Sequence, residues 1–217
     1  QELIRRLSVS QPMQAVVEKI ERKNENKNPP LLFNLAELQN ECSRLFKVSP
    51  DETLKIVQEL YEKKLVTYPR TDARVLSTAV AIEIYKIIRG LCSFEPTGAF
   101  AAEILENGSY KKITSTRYVN DKQITDHYAI IPTGQGLGAL KSVSARSAKV
   151  YELIARRFLS VFYPAAVYKK VSMGTMMGKE RFFSVCKVLD QEGYLKVANV
   201  KKNGEEQKDR AMLLQLQ

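Results

Sequence analysis

Cysteine is scarce and scattered. Cys42, Cys92 and Cys186 are the only three, and no Cys-x-x-Cys pair occurs. That excludes a zinc ribbon or finger, which needs closely spaced thiolates. An odd, dispersed set suits a reducing cytoplasm, with each thiol acting as a small apolar residue. No apolar run approaches the ~20 residues of a membrane span, so no membrane partner is expected. No Asp-x-Asp pair or other compact acidic cluster is present, so no metal site is expected within these residues. No Walker-type glycine-rich loop occurs either, and the chemistry does not read as ATP-driven. There is no signal peptide, internal repeat or low-complexity tract. Gln1 to Leu7 reads as the tail of a helix that starts in a longer polypeptide.

What the sequence does have is positive charge. The net charge is +10 and the isoelectric point is near 9.4, with 44% hydrophobic and 27% charged residues. This is the balance of a globular chain with a polyanionic partner, nucleic acid first. On charge alone, an ordinary basic protein fits equally well.

The patterning places a strand within Met13 to Arg22 and a polar loop over Lys23 to Pro30. Asn34 is a suitable cap for a helix over Leu35 to Cys42. Ser49, Pro50 and Glu52 form a capping box ahead of a second helix. Its apolar stripe is Leu54, Val57, Tyr61 and Leu65, with Lys63 and Lys64 in the last turn. Val66-Thr67-Tyr68 follows as an extended piece, because Tyr68 precedes Pro69. Two short helices and a strand resemble a winged helix-turn-helix.

Further helices are predicted over Thr78 to Arg89, Thr97 to Glu106, and from about Ser144. Ile113 to Thr116 looks strand-like. Val167 to Ser172, Phe182 to Leu189 and Tyr194 to Val200 read as strands separated by Gly174, Gly178 and Glu192-Gly193. The fold class is therefore α+β, a helical block inserted between two β-leaning ends.

The residues that could carry chemistry centre on Tyr68-Pro69-Arg70-Thr71-Asp72. A phenol has a pKa of roughly 10 and needs help to act as a nucleophile. Arg70 supplies a planar cation suited to phosphate oxygens. Thr67 and Thr71 can donate hydroxyl hydrogen bonds to the backbone, and Asp72 can hold Arg70 or cap the next turn. With ten tyrosines in the chain, a core or surface role for Tyr68 is the competing reading. Gln58 and Glu62 share a helix face that leads into Tyr68; a solvated polar face is the plainer account. His127, the one histidine, could contact phosphate or move a proton, although lone histidines are more often structural. Arg157 borders the apolar stripe of the helix after Ser144, and must meet a carboxylate or a phosphate there. From Lys141 to Lys170, seven basic residues face one acid, Glu152. That makes the best candidate electrostatic patch.

Leu60-Tyr61-Glu62-Lys63-Lys64-Leu65-Val66-Thr67-Tyr68-Pro69-Arg70-Thr71-Asp72 resembles the active-site segment of type IA DNA topoisomerases, the bacterial topoisomerase III branch above all. Pro30 to Gln39, Thr53-Leu54 with Gln58, His127 to Thr133, and Val150 to Leu159 are similar to further motifs of that family, in the right order across residues 29 to 164. The resemblance implies that Tyr68 attacks a DNA phosphate and becomes joined to the 5′ end, freeing a 3′-hydroxyl. A second strand then passes through the break, which is resealed without ATP. Arg70 is implied to position the phosphate and His127 to bind DNA beside it. Gln58, Glu62 and Thr67 match supporting positions around the tyrosine. Thr67, Thr71, Arg74, Arg156 and Arg157 are taken as DNA contacts.

The resemblance also implies domains. Residues 1–30 and 165–217 would belong to a β-rich gate (strap) domain, and 31–164 to the winged-helix-like tyrosine domain inserted in it. The family's Mg²⁺ site lies in a separate Toprim domain, expected elsewhere on the same polypeptide together with further domains. This portion should then bind single-stranded DNA but lack full activity, in the cytoplasm at the nucleoid of a bacterium. Ala73 departs from the serine common in relatives. The rival readings are a non-catalytic winged-helix module and a tyrosine-type recombinase, the latter needing more basic site residues and a second histidine.

Overall fold

The computed structural model describes residues 2–7 and 15–199. They fall into two compact units. One contains residues 2–7, 15–27 and 165–193; the other contains residues 28–164 and 194–199.

The first unit holds a short helix, α1 (Glu2–Leu7), and three antiparallel strands in the order β1 (Ala15–Lys27), β2 (Ala166–Met177), β3 (Glu180–Gln191). Met177 pairs with Glu180 across a two-residue turn, where Gly178 adopts a φ of 61°, the backbone that tight hairpins demand. The strands are longer than their sequence signals. Lys23 to Lys27 continues β1 instead of starting a loop, and Gly174 lies inside β2 instead of ending it. Pairing with the full length of β2 outweighs the low strand propensity of Lys, Asn and Glu. β1 guards its edge with charge: Glu18 pairs with Arg181 at 2.9 Å and Glu25 with Lys187 at 2.5 Å, each reaching past β2 to β3.

The second unit is helical. Asn34 Oδ1 accepts from the Glu37 amide at 2.9 Å to start α2 (Leu35–Phe46), and Ser49 Oγ accepts from the Glu52 amide at 3.2 Å to start α3 (Pro50–Glu62). The buried face of α3 is Thr53, Ile56, Val57 and Leu60. Tyr61, read as part of the apolar stripe, is instead exposed on the neighbouring face. Lys63 and Lys64 lie beyond the last turn. Lys64 takes a φ of 60°, while the Lys64 and Leu65 amides donate back to the carbonyls of Tyr61 and Leu60. This is a Schellman closure with lysine where glycine is usual.

The helix predicted over Thr78 to Arg89 is two, α4 (Thr78–Ile82) and α5 (Ile84–Leu91), broken at Glu83. Asp121 takes both the amide and the hydroxyl of Thr78, at 2.9 and 2.5 Å, and pins the first turn of α4. After α6 (Gly98–Asn107), the strand-like Ile113 to Ser115 lies in a 3₁₀ turn spanning Ser109–Ser115. The hydroxyls of Ser115 and Thr116 donate back to the backbone there, in place of strand pairing.

The central helix, α7 (Ala145–Ser160), buries Val150, Tyr151, Ile154, Phe158 and Leu159. Tyr194 to Val200, expected as a strand, contains α8 (Leu195–Ala198) in its described part, and this segment belongs to the helical unit. Arg156 donates to the Val197 carbonyl at 2.9 Å, and Lys196 pairs with Glu103 at 2.9 Å. These anchors override the strand propensity of Tyr and Val.

Candidate functional site

An extended stretch, 129–133, runs through the helical unit and carries the site. The Ile130 amide donates to the Phe33 carbonyl at 2.7 Å, the Ala129 amide to Val75 at 3.0 Å, and the Thr133 amide to Leu65 at 3.0 Å. In return, the Thr67 amide donates to Ile131 at 3.0 Å. Phe33, Ile130 and Ile131 are buried, so the seam is fixed by core packing as well as by hydrogen bonds. Just past it, the Gly90 backbone lies so close to Gly134 that a Cβ at Gly90 would sit 1.9 Å from the Gly134 carbonyl oxygen. Only glycine permits α5 to approach this loop.

Tyr68 emerges from the seam beside His127, with ring centroids 4.4 Å apart, and Tyr61 meets it edge-on at 5.4 Å. The three rings border an open pocket of about 500 Å³, lined also by Glu62, Lys64 and Tyr128. Gln58 Nε2 donates to Glu62 Oε1 at 3.1 Å, so Gln58 bears on the pocket through Glu62. Arg70 is exposed next to Tyr68, and among the described residues it has no ion-pair or hydrogen-bond partner. It does not pair with Asp72. Burial raises the Tyr128 phenol above its ordinary pKa, so that hydroxyl stays neutral.

The two threonines flanking Tyr68 are braces. Thr67 Oγ1 donates to the Ala129 carbonyl and accepts from the Ile131 amide, each at 3.0 Å. Thr71 Oγ1 donates to the His127 carbonyl at 2.7 Å and accepts from the Ala73 amide at 3.1 Å. Of the two uses open to these hydroxyls, the backbone one is realised; a direct DNA contact from either would require breaking these bonds.

Two of the arginines in the basic patch are mostly buried. Arg156 is 16% exposed and fully engaged, with Glu152 at 2.7 Å and with the carbonyls of Val197 and Pro96. Arg157 is 13% exposed. It donates to the Leu31 carbonyl at 3.0 Å, lies 4.0 Å over the Phe33 ring and faces Glu41 at 3.9 Å. Burial lowers its pKa, and Glu41 opposes that shift. Arg157 thus meets the carboxylate that its helix phase required, and both arginines are engaged by protein groups. Arg74 is likewise occupied, by Glu37 and the Leu32 carbonyl, each at 3.3 Å. Lys169 and Lys170 lie in β2, in the other unit.

A family model described as DNA topoisomerase matches residues 1–217. The chain belongs to the type IA DNA topoisomerase family. It is 37% identical over 202 residues to DNA topoisomerase 3 of Bacillus subtilis strain 168, covering 92% of this chain and 27% of that protein. For DNA topoisomerase 3 of Bacillus licheniformis the identity is 35%, covering 91% of this chain and 27% of the relative. The chain thus spans about a quarter of the length of these relatives. The structure of full-length topoisomerase I from Thermotoga maritima superposes on it with a TM-score of 0.64 at 25% identity, covering 93% of this chain and 32% of that one.

Topoisomerases of this type generally use Mg²⁺ in a Toprim domain. Among the described residues no group of three or more His, Cys, Asp or Glu side chains is gathered. Sequence reasoning missed Tyr61, Lys64 and Tyr128 as pocket residues. A signal existed for Tyr61: Gln58, Tyr61 and Glu62, spaced i, i+3, i+4, share one helix face. Lys64 was not legible in the same way, since its place depends on a left-handed turn at a residue other than glycine.

Proposed function

We propose that this chain is the DNA-cleaving portion of a type IA topoisomerase, with Tyr68 as the nucleophile. The observation that carries this is the placement of Tyr68 against His127 on a braced backbone, at an open pocket with the exposed guanidinium of Arg70 beside it. The Tyr68 phenol oxygen attacks the phosphorus of a single-stranded DNA linkage. A bond forms from that oxygen to the 5′-phosphate, the bond to the 3′-oxygen breaks, and the phenol's proton ends on the released 3′-hydroxyl. Glu62, held by Gln58, is the carboxylate lining the pocket that can handle that proton. Arg70 and His127 stabilise the nonbridging oxygens as charge builds. Attack by the same 3′-hydroxyl reverses the step, and because the phosphotyrosyl bond retains the energy of the broken linkage, no ATP is spent.

In this reading the helical unit is the winged-helix-like tyrosine domain, and the three-stranded unit is part of the gate domain from which it is inserted. Strand passage and religation belong to the whole polypeptide, working on nucleoid DNA in the cytoplasm with Mg²⁺ held by its Toprim domain. Alone, the chain binds single-stranded DNA in a salt-sensitive way, through its excess positive charge.

The test combines the chain with a separately prepared Toprim-bearing portion, Mg²⁺ and end-labelled single-stranded DNA. A denaturation-resistant adduct is expected, absent in Tyr68→Phe and formed about 100- to 1000-fold more slowly in Arg70→Ala. Salt-dependent binding with an adduct that survives Tyr68→Phe would refute the assignment, and binding without any adduct would leave a non-catalytic module.

A further inference from the structure

The pocket at Tyr68 has aromatic walls that the cleavage chemistry does not use. Tyr61 meets the Tyr68 ring edge-on and keeps 38% of its surface exposed, an unusual position for a large side chain on a helix whose other face is core. Tyr128 lines the same pocket, half-buried, with its phenol neutral. Lys64 is exposed at the pocket, placed there by its left-handed turn at the end of α3. That conformation is unfavourable for a residue with a Cβ. It is held by the Lys64 and Leu65 amides and by the Thr133 hydroxyl, which donates to the Lys64 carbonyl at 2.6 Å.

We propose that this pocket is a nucleotide subsite, resting on the reading of Tyr68 as the DNA nucleophile. Tyr61 and Tyr128 take the unpaired base next to the scissile phosphate by ring contact, while Lys64 faces the neighbouring backbone phosphate. Every base has a π-face, so stacking on tyrosine tolerates sequence, and it adds affinity that salt does not screen. The lysine adds one screened contact. The base is thereby turned aside from the stack, and the linkage beside it lies open to the Tyr68 oxygen.

The chain has no tryptophan, so a fluorescent base analogue can be excited without protein background. Single-stranded oligonucleotides carrying 2-aminopurine, moved one position at a time, are bound to the 217-residue chain. Because the contact tolerates sequence and fixes no register, quenching on binding is expected whichever interior position carries the analogue. Tyr61→Leu should remove that quenching and weaken binding about 5- to 100-fold at all salt concentrations, while Tyr61→Phe, which keeps the ring, restores both. Lys64→Ala should keep the quenching but lower the slope of log affinity against log salt by about one. Unchanged quenching and affinity in Tyr61→Leu, with salt-dependent binding intact, overturns the subsite and leaves the cleavage reading standing. Wild-type chain that binds no oligonucleotide at low salt overturns both.

Discussion

In the helical unit Phe33, Tyr151 and Phe158 have no accessible surface, whereas in the sheet unit Phe183 is 79% and Val185 59% exposed. The helical unit closes a core of its own around α7, and the seam behind Tyr68 is part of that core. The sheet unit buries the cross-strand pair Val171–Cys186 and little else on its strands. Chemistry that needs positions held to a fraction of an ångström belongs on the first kind of unit. A ribbon stabilised mostly by ladder bonds and cross-strand charge suits a connecting role better.

Substitutions can sharpen or break this contrast. Phe158→Ala should cost about 3–5 kcal/mol, because nothing nearby can fill the cavity; urea denaturation read by circular dichroism would measure it, and a loss below ~1 kcal/mol would deny the helical unit its core. Arg157→Ala should cost about 1–3 kcal/mol, since it strands the Leu31 carbonyl, while Glu41 keeps its closer partner Arg44 at 2.6 Å. If it instead left stability intact and reduced DNA affinity, Arg157 would be a DNA contact after all. Phe183→Ser should change stability by no more than ~0.5 kcal/mol in the same assay, and a larger loss would mean that β3 packs against more than its own sheet.

Legibility in the sequence followed the range of the interactions. The capping of α2 and α3 depends on residues three apart, and it is read directly from Asn34 and Ser49. Tyr68, Arg70 and His127 stood out through motifs, but nothing local says that residue 127 lies beside residue 68, because the seam joining them is made of long-range hydrogen bonds. Long-range contacts also explain the errors. Arg156, with Lys196 and Glu103, turns an apparent strand after Tyr194 into a helix. The carbonyls that engage Arg156 and Arg157 come from distant segments, so helix phase told only that Arg157 needs a partner and not which one.

The threonine braces carry a mechanical consequence. A protein that holds one end of a severed strand must resist any pull along it until the ends rejoin. If Tyr68 is the nucleophile proposed above, such tension would leave the phenol and enter a backbone moored on both sides: Thr67 to Ala129 and Ile131, and Thr71 to His127. These bonds run crosswise between two antiparallel segments and share a load in parallel instead of opening one at a time. On that proposal the force would be delivered to Phe33 and Ile130 in the interior, and the tyrosine would serve as an anchor as much as a blade.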